Sequence, residues 1–155
     1  MIIVECNLDE FFIKNIGFSK KKIKHESGKG DVLRIVNKKN KVIGMIDEDP
    51  GKSQPVEMKQ YKEKETMHMA KLFERKDDNG KRVIQLSPYL EYWLLQRARK
   101  NRISPNDFGL PDDPIELHDM AHIEIRINFQ NFLNEIIKVD EEIDTIKKWI
   151  NEGIE

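Results

Sequence analysis

Three carboxylates in this chain, Glu5, Asp47 and Asp49, stand where side chains could do chemistry. Glu5 directly follows the apolar run "IIV". Asp47 and Asp49 sit in "DED", between the apolar "VIGMI" and a Pro50-Gly51 turn. Acids packed this closely repel one another, so they must stay solvated or meet a cation. Hard oxygen donors suit Mg²⁺ or Mn²⁺, which keep much of their water and bind through a few carboxylates plus substrate phosphate. A local reading stands beside this one: an acidic loop tip, or the turn chemistry of a Pro-Gly corner.

The elements that must position these acids read as β-α-β-α-β. "IIVE" (2–5) is a short run rich in β-branched residues and is expected to be a buried strand. Asn7 or Asp9 can cap a helix running to Gly17. "KIKHE" (22–26) alternates as a second strand, "SGKG" turns, and "DVLRIVNKK" is a short helix with Asp31 as its cap. "KVIGMI" (41–46) is the third strand. Short connections between alternating strands and helices predict a doubly wound, mainly parallel sheet. In such a sheet functional groups gather beyond the carboxyl ends of the strands, which is where Glu5, Asp47 and Asp49 would meet.

Beyond Asp47 the chain is polar to about Glu65 and reads as loop. Residues 66–86 predict a β-hairpin turning at Asn79-Gly80. A helix is expected after Ser87-Pro88, with the serine as cap and the proline at its first position, running to about Lys100. Residues 115–138 lack helix breakers, although "HIEIRINF" also alternates with period two. The last helix repeats Val139, Ile143, Ile146 and Ile150, with acids early and Lys147 and Lys148 late. The expected organisation is an α/β core over 1–87 and a helical extension over 88–155, packed as one compact unit.

Composition bounds the class. A chain of 155 residues with 35% charged side chains is expected to be a soluble single domain. No apolar run approaches the roughly 18 residues of a membrane span, "MIIVE" lacks a signal peptide's basic segment, and the expected location is cytoplasmic. Cys6, the lone cysteine, permits neither an internal disulfide nor a cysteine-built zinc site. Charge is uneven. Residues 14–41 carry ten Lys or Arg against Glu26 and Asp31, whereas 107–155 carry thirteen acids against Arg126, Lys138, Lys147 and Lys148. The basic half is a footprint for a polyanion, or a solvated lysine-rich face.

The order "IIVECNLDEFFIKNIG", "HESGKGDVLRIV", "VIGMIDEDPG" resembles the TOPRIM domain of topoisomerases, bacterial primases and several nucleases, over roughly residues 1–51. The resemblance implies a TOPRIM-like Rossmannoid fold in which Glu5 corresponds to the family's glutamate and Asp47 and Asp49 to its aspartate pair. Asp9 matches an acid often found four residues after the glutamate. Cys6 stands where the family usually has glycine. "LSPYLEYWLL" is similar to the "E-x-Y-L-L" segment of nucleases of the overcoming-lysogeny-defect type, which makes Glu91 a further candidate ligand or ligand support. An exposed first-turn glutamate of a capped helix is the plainer reading of that residue.

Within that family, a topoisomerase needs a tyrosine nucleophile on a separate domain, and a primase a larger polymerising domain. Tyr61, Tyr89 and Tyr92 read as loop or packing residues. What the resemblance leaves is Mg²⁺- or Mn²⁺-dependent hydrolysis of DNA or RNA, with Asp47 and Asp49 as ligands and Glu5 as ligand or general base. Crowding by the aspartates would raise the Glu5 pKa. Lys29 with Gly28 and Gly30 could contact phosphate, and Lys22 and Lys24 would add non-specific contacts. Histidines 118 and 122 have an i, i+4 spacing that can bind zinc on one helix face, but no third ligand is near them in sequence; His25 lies at the end of the second strand. The rival expectation is a non-catalytic TOPRIM-like binding or regulatory partner in a multi-protein system, with the acidic C-terminal helices as a docking or homodimer surface.

Overall fold

A computed structural model describes residues 1–155 as an α/β structure. Strands β1 (Ile2–Val4), β2 (Ile23–His25) and β3 (Ile43–Asp47) alternate with helices α1 (Asn7–Asn15) and α2 (Lys29–Lys38). Strands β4 (Tyr61–Met67), β5 (Ala70–Arg75) and β6 (Asp78–Leu86) follow. Then come α3 (Leu90–Lys100), α4 (Pro114–Asp119), α5 (Ile127–Val139) and α6 (Glu141–Ile154). The sheet order is β2-β1-β3-β6-β5-β4. β1 pairs in parallel with β2 and β3, β3 with β6 likewise, and β4-β5-β6 is antiparallel. The sheet is therefore mixed.

Alternation of side chains sets the layers. Ile2 and Val4 face the large core with Phe12, Trp93, Phe132 and Trp149 from α1, α3, α5 and α6. Ile3 faces the smaller one with Val32, Leu33 and Val36 of α2. Two glycines bring layers close: a Cβ on Gly44 would lie 2.8 Å from Val32 Cγ1, and one on Gly153 the same distance from Ile43 Cβ. The chain leaves β1 towards β2 over one face, then crosses back past β1 to β3 over the other. Its direction reverses between β1 and β3, so their carboxyl ends flank the crevice where such sheets place ligands.

Several local expectations are corrected. The polar stretch after Asp47 is not loop to Glu65, because β4 begins at Tyr61. It is an edge strand with mostly exposed side chains, so no apolar run announces it. The connection of β5 to β6 turns at Lys76-Asp77, not Asn79-Gly80, with Arg75 opposite Asp78 and Glu74 opposite Arg82. Residues 79–81 form a bulge, and there Lys81, 5% exposed, donates to the Lys39 carbonyl and Asn40 Oδ1.

Caps also differ. Neither Asn7 nor Asp9 is the N-cap of α1: Cys6 Sγ accepts from the Asp9 N–H at 3.4 Å, while Asp9 Oδ2 accepts from the Cys6 N–H at 3.1 Å. Gly28, not Asp31, is the N-cap of α2, and Asp31 lies in its first turn, bonded to Ser27 and Arg34. The expected 115–138 helix is broken. His122 is left-handed at φ 49°, and a 3₁₀ turn at Ile123–Ile125 separates α4 from α5. Asp140 caps α6 through the Ile143 N–H, and no basic residue stands in the last turn of that helix.

Candidate functional site

The site forms where β1 and β3 end. Glu5 follows β1 and Asp47 closes β3, and the Asp47 N–H donates to Glu5 Oε1 at 2.6 Å. One turn into α1, Asp9 is buried at 1% exposure, and Glu91 enters from the first turn of α3 at 7%. Asp47 Oδ1 accepts from the Leu90 N–H at 3.0 Å. Asp47, not Ser87, therefore serves the amino end of α3, whose N-cap residue is Tyr89 and makes no side-chain cap bond. The positive end of the α3 dipole points at the same carboxylate.

Burial and mutual repulsion dominate the electrostatics. Removal from water pushes the Asp47 carboxyl well up, and the charges of Asp9, Glu5, Glu91 and Asp49 push it further. Burial raises Asp9 too, with Glu5 and Glu91 adding to the effect and the bond from Cys6 opposing it. Glu5 is raised first by burial; the Asp47 N–H and Lys29 work against this, and Asp49 reinforces it. The direction expected for Glu5 is thus found, with desolvation rather than aspartate crowding as the main cause. The Cys6 thiol is driven up by burial and by Asp9, which keeps it neutral and unreactive.

Asp49 acts on this group through its charge but is itself paired with lysines. It is in the left-handed region at φ 48°, and its Oδ2 lies 3.7 Å from both Lys29 Nζ and Lys52 Nζ. Lys29 donates to the carbonyls of Glu48 at 2.7 Å and Asp47 at 3.3 Å. Its ammonium thus ties α2 to the acidic loop, where a phosphate contact had been expected. Gly28 and Gly30 open α2 with free space around each Cα. Lys22 and Lys24 lie at or on the edge strand β2, exposed, with Lys24 paired to Glu26. Lysines on an edge strand also deter the addition of a foreign strand.

No three His, Cys, Asp or Glu side chains are arranged to close directly around one metal ion. The donors gathered here are nevertheless all carboxylate oxygens, short of positive charge, and that chemistry suits a hard divalent cation held largely through its own water. The histidine pair separates, because α4 ends at Asp119 and His122 lies beyond it. His118 Nδ1 instead meets Glu91 Oε1 at 2.9 Å, and its ring packs 4.5 Å from that of Tyr89. His25 Nε2 lies 3.1 Å from the Glu5 carbonyl.

Sequence reasoning missed three features. One is the His118–Glu91 contact, which joins residues 27 apart. Another is buried Arg97, which binds Asp140 at 2.7 Å and Glu142 at 2.9 Å and so locks α3 to α6. The third is an open cavity of about 450 Å³ beside the last turns of α3, lined by Tyr92, Gln96, Arg99 and Arg102 among others. Only the density of Arg and Lys from 97 to 102 hinted at the last two. No family model, curated protein or solved structure matches the chain. No helix is long and apolar enough to cross a membrane.

Proposed function

We propose that this chain is a TOPRIM-like, Mg²⁺- or Mn²⁺-dependent phosphodiesterase acting on nucleic acid. The observation that carries the reading is the meeting of Glu5 and Asp47, from neighbouring parallel strands, at the point where the sheet reverses direction. Buried Asp9 and Glu91 deepen the negative potential there. The order of motifs along residues 1–51 supports the TOPRIM resemblance independently of the geometry. A bound divalent ion would neutralise charge on a phosphate oxygen and lower the pKa of a water.

The chain's own residues divide the remaining work. Asp47, fixed by the Leu90 N–H, and Glu5, fixed by the Asp47 N–H, would each have a second oxygen to offer an ion. Glu5, its proton affinity raised by burial, would accept a proton from the attacking water. Asp49 is the third candidate ligand and would exchange Lys29 and Lys52 for the ion. Asp9 holds the start of α1 and adds charge. Lys20 to Lys24 would attract the phosphate backbone without reading sequence.

A second reading has its own support. Asp47 is engaged as a helix cap and Asp49 lies between two lysines, which is what a scaffold retaining its carboxylates for structure would show. On that reading the chain is a non-catalytic binding or regulatory partner. Ile115, Ile125 and Ile127, each more than 60% exposed around α4 and the start of α5, are its docking surface for a protein partner or a second copy.

The deciding experiment incubates the protein with labelled single- and double-stranded DNA and RNA, in Mg²⁺ or Mn²⁺, beside Asp47→Asn and Glu5→Gln. Metal-dependent cleavage that both variants lose supports the enzyme. If the wild type leaves all four substrates intact, or the variants cut equally well, the regulatory reading replaces it.

A further inference from the structure

We propose that the cavity beside the carboxyl end of α3 is a subsite for single-stranded nucleic acid, where Arg99 and Arg102 hold backbone phosphates and Tyr92 stacks an unpaired base. The inference deepens the reading of the acidic site as a phosphodiesterase centre and rests on it for the class of ligand. The cavity measures about 450 Å³, and both arginines line it with Tyr92 and Gln96.

Arg99 and Arg102 are exposed, and none of the chain's ion pairs uses either of them. Two residues before Arg99, buried Arg97 is wholly engaged by Asp140 and Glu142. The basic run at the end of α3 therefore splits into one structural guanidinium and two that face open space. A helix dipole alone would account for Arg99 in the last turn. It does not account for Arg102, which lies beyond the helix at φ 58° and still lines the same cavity. Asp112 is the acid on the wall, against two guanidiniums. Forked guanidinium donors match phosphate oxygens, and they are less strongly hydrated than ammonium groups.

The cavity is joined to the acids by aromatic rings. Tyr92, Gln96 and Arg99 recur at helical spacing along one side of α3. Glu91 in the first turn and Arg99 in the last are about 12 Å apart along the axis at about 1.5 Å per residue. At the stacked spacing of about 3.4 Å that distance covers three to four phosphates. Between them the Tyr89 ring lies edge-on to Tyr92 at 6.1 Å and tilted over His118 at 4.5 Å, and His118 in turn contacts Glu91. Aromatic faces beside a cationic groove are how single strands are held without sequence preference. A duplex keeps its bases stacked inside and offers such rings nothing.

The test measures anisotropy of fluorescein-labelled 12-nucleotide single strands, DNA and RNA, and of the matching duplex. Wild type, Arg99→Gln/Arg102→Gln and Tyr92→Leu are compared in EDTA, where no cleavage intervenes, across a salt series. The expected result is at least tenfold weaker single-strand binding in both variants, with thermal midpoints unchanged. The arginine variant should also show a shallower salt dependence, by about 0.7 per lost phosphate contact. Wild-type affinity in the arginine variant, no strand binding by the wild type, or single-strand binding that Tyr92→Leu leaves unchanged would each overturn the subsite. Strand binding without cleavage in Mg²⁺ or Mn²⁺ removes the nuclease reading and keeps the subsite. Cleavage whose KM the arginine variant does not alter does the reverse.

Discussion

The Asp47 carboxylate and the Leu90 N–H, 43 residues apart in the chain, are joined at 3.0 Å. The acid that ends β3 is thereby also the anchor of α3, and the same bond sets Glu91 beside the crevice. A residue with two duties answers differently to substitutions that remove one or both.

Asp47→Asn removes the ionisable group and keeps an oxygen that can accept from Leu90. Its thermal midpoint in EDTA at about pH 8 should exceed that of the wild type by at least about 2 °C, because the wild-type carboxyl must take up a proton to fold at that pH and the amide need not. Asp47→Ala also loses the cap, which costs about 1 kcal/mol, and should melt below Asp47→Asn. Both should lose any shift in midpoint caused by Mg²⁺. Circular dichroism melts decide this, and an Asn variant less stable than the wild type contradicts the electrostatic account.

Stability should depend on pH in a specified direction. Burial lifts Asp9 to about 7 and Asp47 to about 9 in the folded chain. Unfolded, both return to the ordinary value near 3.9. Between those limits the native state binds more protons than the unfolded one, so unfolding free energy falls as pH rises. The contribution is fully present below about pH 4 and is lost as pH passes through about 7 and then about 9. Mg²⁺ that binds the ionised carboxylates should flatten the decline, stabilising more at pH 8 than at pH 5. Melts in EDTA and in Mg²⁺ across that range measure it, and a Mg²⁺ effect that is equal at both ends argues against binding at this corner.

Gly153→Ala should cost about 1–3 kcal/mol, since the new Cβ would sit 2.8 Å from Ile43 Cβ and force α6 away from β3. Gly51→Ala, in an exposed turn with nothing within 4 Å of the added carbon, is the control and should change far less. Urea denaturation of the two variants is the measurement. Equal losses would mean that α6 does not press on the sheet as described.

Arg97→Ala leaves the buried Asp140 and Glu142 without their cation, and should destabilise by about 3–5 kcal/mol at neutral pH. Glu142 keeps the Trp93 Nε1–H at 3.2 Å and His68 Nδ1 at 2.6 Å, so a second variant, His68→Ala, should cost much less. Urea titrations of the two variants at neutral pH separate these outcomes, and equal losses would mean that Arg97 is not the cation that balances this pair.

Local patterning carried the first third of the chain. Apolar β-branched runs ending in Glu5 and Asp47, with helices of opposite facing between them, require few partners, and β1-α1-β2-α2-β3 formed where they were expected. Edge strand β4 was hidden because a strand paired on one side and wet on the other needs no apolar run. The break at His122 was hidden for a related reason: nothing in "MAHIEIR" forbids a helix, yet His122 adopts the left-handed conformation there and the chain turns.

Residue types and chain order were enough to say that acids would leave the carboxyl ends of two adjacent strands, because strand direction and alternation are local properties. Distance, burial and partnership are not local. Which side chain capped α3, which lysine closed on Asp49, and which arginine was buried while its neighbours stayed free all depended on groups dozens of residues away. A carboxylate's proton affinity follows from the solvent and charges around it, and those surroundings exist only once the sheet, α1 and α3 have packed against one another.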